Sequence, residues 1–321
     1  MSERRVAGVP GGAADRPREI PKQGWWQILK RAWGEAKADQ VPLLAAGVAF
    51  FGFLSVFPAI VAAILAYGLI ADPVQIRNQA EDLATAMPAS GRDLLLQQID
   101  SLTSAPGRSL GIGFAIAVVA ALWSASSGVG YLITALNIAY DEDESRGFVR
   151  RKLLALGMTL GAIVFVLLAL ALFSAGTAIG EDVATPIRYA LVAARVVLAL
   201  VLITVALAIV YRLAPDREAP RVRWVSVGAA VATVIWLIAS IGFSLYVETF
   251  GNYAKTYGSL AAVVVLMLWL WLTAYAILLG AEINAEAEQQ TIRDSTTGEP
   301  RPLGERGAVK ADSVPTSGYR G

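Results

Sequence analysis

Long apolar runs separated by short polar segments dominate the chain. Five windows of about twenty or more residues are almost free of charge, and a sixth carries a single arginine, Arg195. Each is long enough to cross about 30 Å of hydrocarbon as a helix. Their cores lie at 41–71, 109–139, 153–179, 189–211, 224–246 and 257–281. The pattern predicts an all-α, polytopic membrane protein: a bundle of six transmembrane helices in a membrane domain over 21–290.

The polar segments predict smaller elements. In "GWWQILKRAWGEAK", Trp26, Leu29, Trp33 and Ala36 recur at helical spacing while Lys30, Arg31 and Lys37 supply charge. That fits an interfacial helix, which serves as an anchor for the first span or as a lipid-binding element. Between spans one and two, Asp72 and Pro73 form a helix start. Ile76, Ala80, Leu83 and Met87 then make one apolar stripe, and Leu95, Ile99 and Leu102 a second. Two short amphipathic helices are expected there, on the outer side. Residues 1–20 and 291–321 hold much Gly, Pro and charge and few large apolar groups, so both ends read as disordered tails.

Composition agrees with the pattern. The 321 residues are 56% hydrophobic and 17% charged, where soluble domains carry about 25% charge. Basic residues sit unevenly. Twenty-one flank the side that carries both termini, including Arg146, Arg150, Arg151, Lys152, Arg212, Arg217, Arg221 and Arg223, and five flank the other. The bias places both termini in the cytoplasm, and since the first forty residues hold no apolar signal region, the first span is expected to serve as the targeting signal. The absence of cysteine and histidine excludes thiol nucleophiles, disulfides and imidazole acid/base chemistry. No Walker loop or dinucleotide fingerprint is present, so no cofactor is expected. The acidic run "DEDESRGFVRRK" reads as a solvated elbow and no metal site is assigned.

A few residues stand out as candidates for a substrate path. Arg195 lies about 10 Å inward from Arg188, where an unpaired charge is costly. It either reaches outward to a partner such as Glu181, Asp182 or Glu248, or lines a cavity suited to phosphate or carboxylate. Glu282 lies about 36 Å along the helix from Gly258, past the hydrocarbon and at the cytoplasmic interface. It and Glu286 share one face, Asn284 and Glu288 another. A clamp to Arg150, Arg151 and Lys152 competes with a proton- or headgroup-handling site. Trp123, Trp236, Trp269 and Trp271 fall near mid-span, with Ser126 and Asn137 among the polar groups near them. These either pack an interior or line a hydrated cavity. Pro58, in a first run of about 46 Å if helical, predicts a strong tilt or a break and is the candidate hinge.

The stretches "AAGVAFFGFLSVFP", "LWSASSGVGYLITALNIAYD" and "YAKTYGSLAAVVVLMLWLWLTAYAILLGAEINAE" together resemble the YihY/BrkB family of bacterial inner-membrane proteins, from about Trp25 to Glu288. The resemblance implies a six-span protein of the cytoplasmic membrane. Family members have been linked to serum resistance and to the export or balance of envelope lipids, and some have carried a ribonuclease BN label. RNA cleavage needs a basic groove with acid/base groups or metal ligands. The short loops and lack of histidine argue against that activity and against nucleic acid as a partner. The expected function is translocation of an amphipathic anionic envelope molecule such as a membrane lipid, without enzymatic activity. The competing reading is a scaffold that docks an envelope or periplasmic protein through 72–108. Sequence alone leaves the oligomeric state open.

Overall fold

The computed structural model describes residues 9–68, 112–175, 185–249 and 259–315. Among these, the regular elements are helices: α1 (Lys22–Ala38), α2 (Val41–Gly68), α3 (Ile112–Ala139), α4 (Phe148–Ala175), α5 (Thr185–Leu213), α6 (Val222–Thr249), α7 (Ser259–Gln289) and the single turn α8 (Val309–Asp312). The six from α2 to α7 are long and apolar enough to cross a membrane. They coincide with the six runs read from the sequence. The predicted amphipathic helices in 72–108 lie outside the described residues.

Each span packs on its neighbours in the chain, and α7 closes back on α2. The six therefore form a ring in chain order, with α3 also touching α7 inside it. Burial is concentrated at the end that carries the basic loops and both termini. There Ile133, Leu136, Tyr140, Tyr211, Val225, Ala229 and Leu278 are wholly buried. Toward the far end the ring loosens. Residues 186–194 of α5 are exposed without interruption, so more than two turns of helix have no packed face. The distal part of α4 is almost as bare: Val164, Val166, Leu168 and Leu170 are all more than half exposed. Apolar surface of this kind is stable against lipid tails, where in water it would mark an interaction site.

The tight end rests on close backbone approach. A Cβ on Gly228 would collide with the carbonyl oxygen of Gly280 and with the side chain of Asn284, and one on Gly280 would strike the hydroxyl of Tyr211. These two glycines let α6 and α7 cross almost in backbone contact. Small residues serve this purpose in membrane bundles, where packing rather than the hydrophobic effect drives association. Tyr211 then donates to the carbonyl of Ile277 at 2.7 Å, tying α5 to the same crossing.

Three sequence expectations change here. Pro58 lies inside α2, which runs from Val41 to Gly68 as one continuous helix. Of the expected tilt or break, the break is absent. Helix α1 keeps Trp26, Leu29 and Trp33 exposed, as an interfacial helix should, but docks through a different stripe. Gly24, Ile28, Ala32 and Ala36, spaced four apart, are buried, with α7 as the main neighbour. The reading of both ends as disordered fails for 9–20 and 291–315, which pack onto the basic end of the bundle. Ala14, Ile20, Thr291, Ser295, Thr296, Arg306 and Lys310 are all buried. Composition misleads because these segments are ordered by polar groups that find partners on the helix ends.

Candidate functional site: a polar collar at the basic end

The last two turns of α7 emerge from the apolar bundle into a shell built by both termini and two loops. Glu282, Asn284, Glu286, Glu288 and Gln290 are each 0% exposed. Carboxylates buried to this extent require compensating partners, and most of them have one. Glu286 receives the guanidinium of Arg31 from α1 and the ammonium of Lys310 from α8, the latter at 2.9 Å. Lys310 also holds Asp141 at 2.9 Å. Burial works against the charge on Lys310, but Glu286 and Asp141 outweigh it and hold its pKa above the ordinary lysine value.

On the other face of α7, Arg217 grips Glu288 with two bonds of 2.7 and 3.2 Å. Ser295 donates to the same carboxylate at 2.9 Å. The guanidinium also lies 4.2 Å from the ring centre of Tyr140, a cation–π contact in a buried setting. Asn284 accepts from the backbone N–H of Gly228 at 2.7 Å and donates to the carbonyl of Val225 at 3.2 Å. It ties the second turn of α6 to α7.

The loops complete the collar. Asp141 adopts φ +57° to turn the chain out of α3. Asn137 is 3% exposed; it donates to Glu144 at 3.0 Å and accepts from the N–H of Asp216 at 2.8 Å. Arg146 bridges Glu144 and Asp216, and its hydrogen bond to Glu144 holds that carboxyl below the usual range. In the C-terminal segment Arg306 donates to the carbonyls of Arg293, Arg301, Ala311 and Ile292. Asp312 accepts from the N–H groups of Gly304, Arg306 and Gly307. Gly304 and Gly307 take φ +96° and +69°, which side chains disfavour. Among the described residues no three carboxylates converge as ligands for a metal ion.

Glu282 is the exception. Neither of its carboxyl oxygens meets a hydrogen-bond donor. The neighbours anticipated from depth are elsewhere: Arg151 bonds Thr134 at 2.6 Å, and Lys152 reaches the carbonyl of Trp123 at 2.8 Å. Glu282 instead faces Asp39, at the end of α1, with Lys310, Glu286 and Glu35 around it.

The remaining candidates do not gather into one site. Trp123 lies beside Phe148 and under Lys152, whose ammonium is 4.4 Å from its ring. That is the level of the basic start of α4. Ser126 is buried but donates to the carbonyl of Trp123 at 2.7 Å, a bond within its own helix. Trp236 donates to Thr273 at 3.1 Å and meets Trp269 edge-on at 6.2 Å, joining α6 to α7. Trp271 donates to the carbonyl of Pro42 and ties α7 to α2. Arg195 is half-buried on α5, the first position after the bare stretch 186–194. Its suggested partners Glu181 and Asp182 lie outside the described residues. A cavity of about 370 Å³ opens where α1, α2 and α7 meet, lined by Trp33, Lys37, Gln40, Pro42, Leu43 and Tyr275.

The residues that sequence reasoning passed over are Asp39, Arg31, Arg217, Glu288 and Lys310 as partners. Their only signal was the three acidic side chains and three amides that follow Gly280 in a helix too long for the bilayer.

The architecture is that of an integral membrane protein with six apolar helices, sealed at one end by its own termini. The chain belongs to the virulence factor BrkB family, whose model matches residues 32–303. It is 34% identical over 273 residues to the ribonuclease-like protein YfkH of Bacillus subtilis, covering 80% of this chain and 94% of that protein. A UPF0761 membrane protein of Cronobacter sakazakii is 25% identical over 317 residues, covering 92% and 95% respectively. One from Alteromonas mediterranea is 43% identical over a shorter stretch of 79 residues, a quarter of each chain. No solved structure matches the chain.

Proposed function

We propose that this protein moves an amphipathic anionic envelope molecule, such as a lipid, across the bacterial cytoplasmic membrane, with both termini and the collar on the cytoplasmic side. The reading rests on the asymmetry of the ring. Among the described residues the spans are tightly packed and ion-paired at the basic end, while the far parts of α4 and α5 are largely exposed. A ring closed at one face and loose at the other is the shape expected of one state of an alternating-access path. The collar is then the closed gate.

Two further features support an amphipathic substrate. Arg195 lies where α5 regains partial burial, about 15 Å from the helix start. A guanidinium there suits a phosphate or carboxylate headgroup. The cavity between α1, α2 and α7 pairs aromatic and aliphatic walls with Lys37, whose ammonium lies 5.4 Å from the Trp33 ring. That lining fits the region where a headgroup meets its acyl chains. The proposed reading includes no enzymatic step. The ribonuclease-like name of one relative describes that relative only.

Flip-flop of fluorescent anionic and zwitterionic lipids in proteoliposomes tests the proposal. The wild-type protein should accelerate exchange of the anionic lipid, and Arg195→Ala should slow it about tenfold or more, the worth of one charged hydrogen bond. No acceleration by folded wild-type protein would refute the lipid path and direct attention to partners of 72–108.

A further inference from the structure

The structure assigns a proton-binding site to the carboxyl pair formed by the half-buried Asp39 at the end of α1 and the buried Glu282 of α7. Glu282 is 0% exposed and both its oxygens lack a donor, as does Oδ2 of Asp39. Asp39 is the strongest acidic influence on the Glu282 carboxyl, and no donor stands between the two side chains. Two carboxylates have no hydrogen to share, so the two side chains can bond each other only when one of them carries a proton. Without that proton two negative charges would face each other, one of them the fully buried Glu282 with no donor on either oxygen.

The surroundings do not supply the missing positive charge. Around the pair stand Glu35 of α1, Asp141 after α3, Glu286 of α7 and Lys310 of α8. Lys310 is already divided between Asp141 and Glu286, and Arg31 is engaged by Glu286 and Gln290. Five carboxyl groups thus face two cations. Asp39 also occupies the C-cap of α1, where the negative end of the helix dipole disfavours an anion. Burial first, then Asp141 and Glu35, push its carboxyl above the usual range, against the opposing pull of Lys310.

The pair spans the joint between the N-terminal helix and the span that carries the collar. A proton there glues α1 to α7; its loss leaves two like charges that drive them apart. The site stands whether or not the bundle moves a lipid. If it does, the proton is available as the coupling ion.

The sign of the pH dependence follows from linkage. A carboxyl that keeps its proton in the folded state and loses it in the unfolded one stabilises the fold at low pH. That stabilisation declines as pH rises above the ordinary carboxyl value, until the folded pair itself ionises. Two variants mimic the protonated pair, because the amide of Glu282→Gln or Asp39→Asn donates to the remaining carboxylate. Infrared difference spectra of the full chain in detergent should show a protonated carboxylic acid near neutral pH, absent from both variants. Thermal unfolding should give Glu282→Gln a Tm above wild type at about pH 8, by about 2–4 °C or more, and a smaller difference at about pH 5. A wild-type spectrum with no protonated carboxyl at neutral pH would overturn the assignment. So would Tm profiles of Glu282→Gln and wild type that run parallel between those pH values. The infrared result on wild type decides the matter even where a variant fails to fold, and neither readout depends on lipid transport.

Discussion

Arg217→Ala should destabilise the protein by about 3–5 kcal/mol, enough to remove most folded protein from the membrane. The guanidinium and its partner Glu288 are 1% and 0% exposed, and no solvent reaches either. Removing the arginine leaves a buried carboxylate whose one remaining donor is the hydroxyl of Ser295. It also strips the cation from the face of Tyr140. The loss is a penalty for an unpaired charge rather than the net worth of the pair, because desolvation of both ions offsets much of their attraction. A double replacement, Arg217→Met with Glu288→Met, should therefore recover most of the stability that the single change loses. Fluorescence-detected thermal unfolding in detergent measures both. A single variant with wild-type Tm would show that the pair is hydrated and the collar open.

Removing residues 304–321 should have an effect of the same order. The truncation takes away Lys310, which holds Glu286 and Asp141, together with the cage of carbonyls around Arg306 and the cap made by Asp312. Glu286 would keep Arg31 alone, and the end of α7 would face water on one side. Loss of a buried partner costs about 3–5 kcal/mol, and lost packing of the segment adds to it. Lys310→Ala tests the charge separately from the packing. Removal of 316–321 alone leaves all of these contacts in place and should leave Tm unchanged. A truncation at 304 with normal yield and Tm would restore the reading of this segment as a solvated tail.

The membrane-spanning architecture was legible because it depends on a single strong signal. A helix that meets lipid must be apolar on every face, so each span is written as an uninterrupted run. The clustering of basic residues at one end of the bundle was equally plain from Arg146, Arg150, Arg151 and Lys152. The collar was not legible, for a physical reason. Glu286, Arg31 and Lys310 are separated by more than 250 positions and by 24 positions respectively, and a charged residue carries no mark of which opposite charge it will meet. Depth along the helix suggested Arg150 to Lys152 as partners for Glu282. The offset of α4 against α3 places Arg151 beside Gly130 and Thr134 instead.

The tail shows the same limit from the other direction. Composition measures how much apolar surface a segment can bury, and 291–315 can bury little. Its order comes from Arg306 and Asp312 satisfying backbone groups and from Lys310 entering a pre-existing acidic shell. Such order depends on a partner surface that the sequence of the segment does not display. The spacing of Glu282 and Glu286 on one face and Asn284 and Glu288 on the other was read correctly. Glu286 turns to α1 and α8, while Asn284 turns to α6 and Glu288 to the loop before it.

The collar as gate can be tested by fixing it shut. The chain has no cysteine, so a pair introduced at Gln289 and Ser313, whose side chains bond at 2.9 Å between α7 and the C-terminal segment, would be unique. Joining them with a short, cleavable thiol-bridging reagent should abolish lipid exchange in proteoliposomes, and cleavage should restore it. Exchange that continues unchanged in fully bridged protein would contradict a gate at the collar and require the path to run elsewhere.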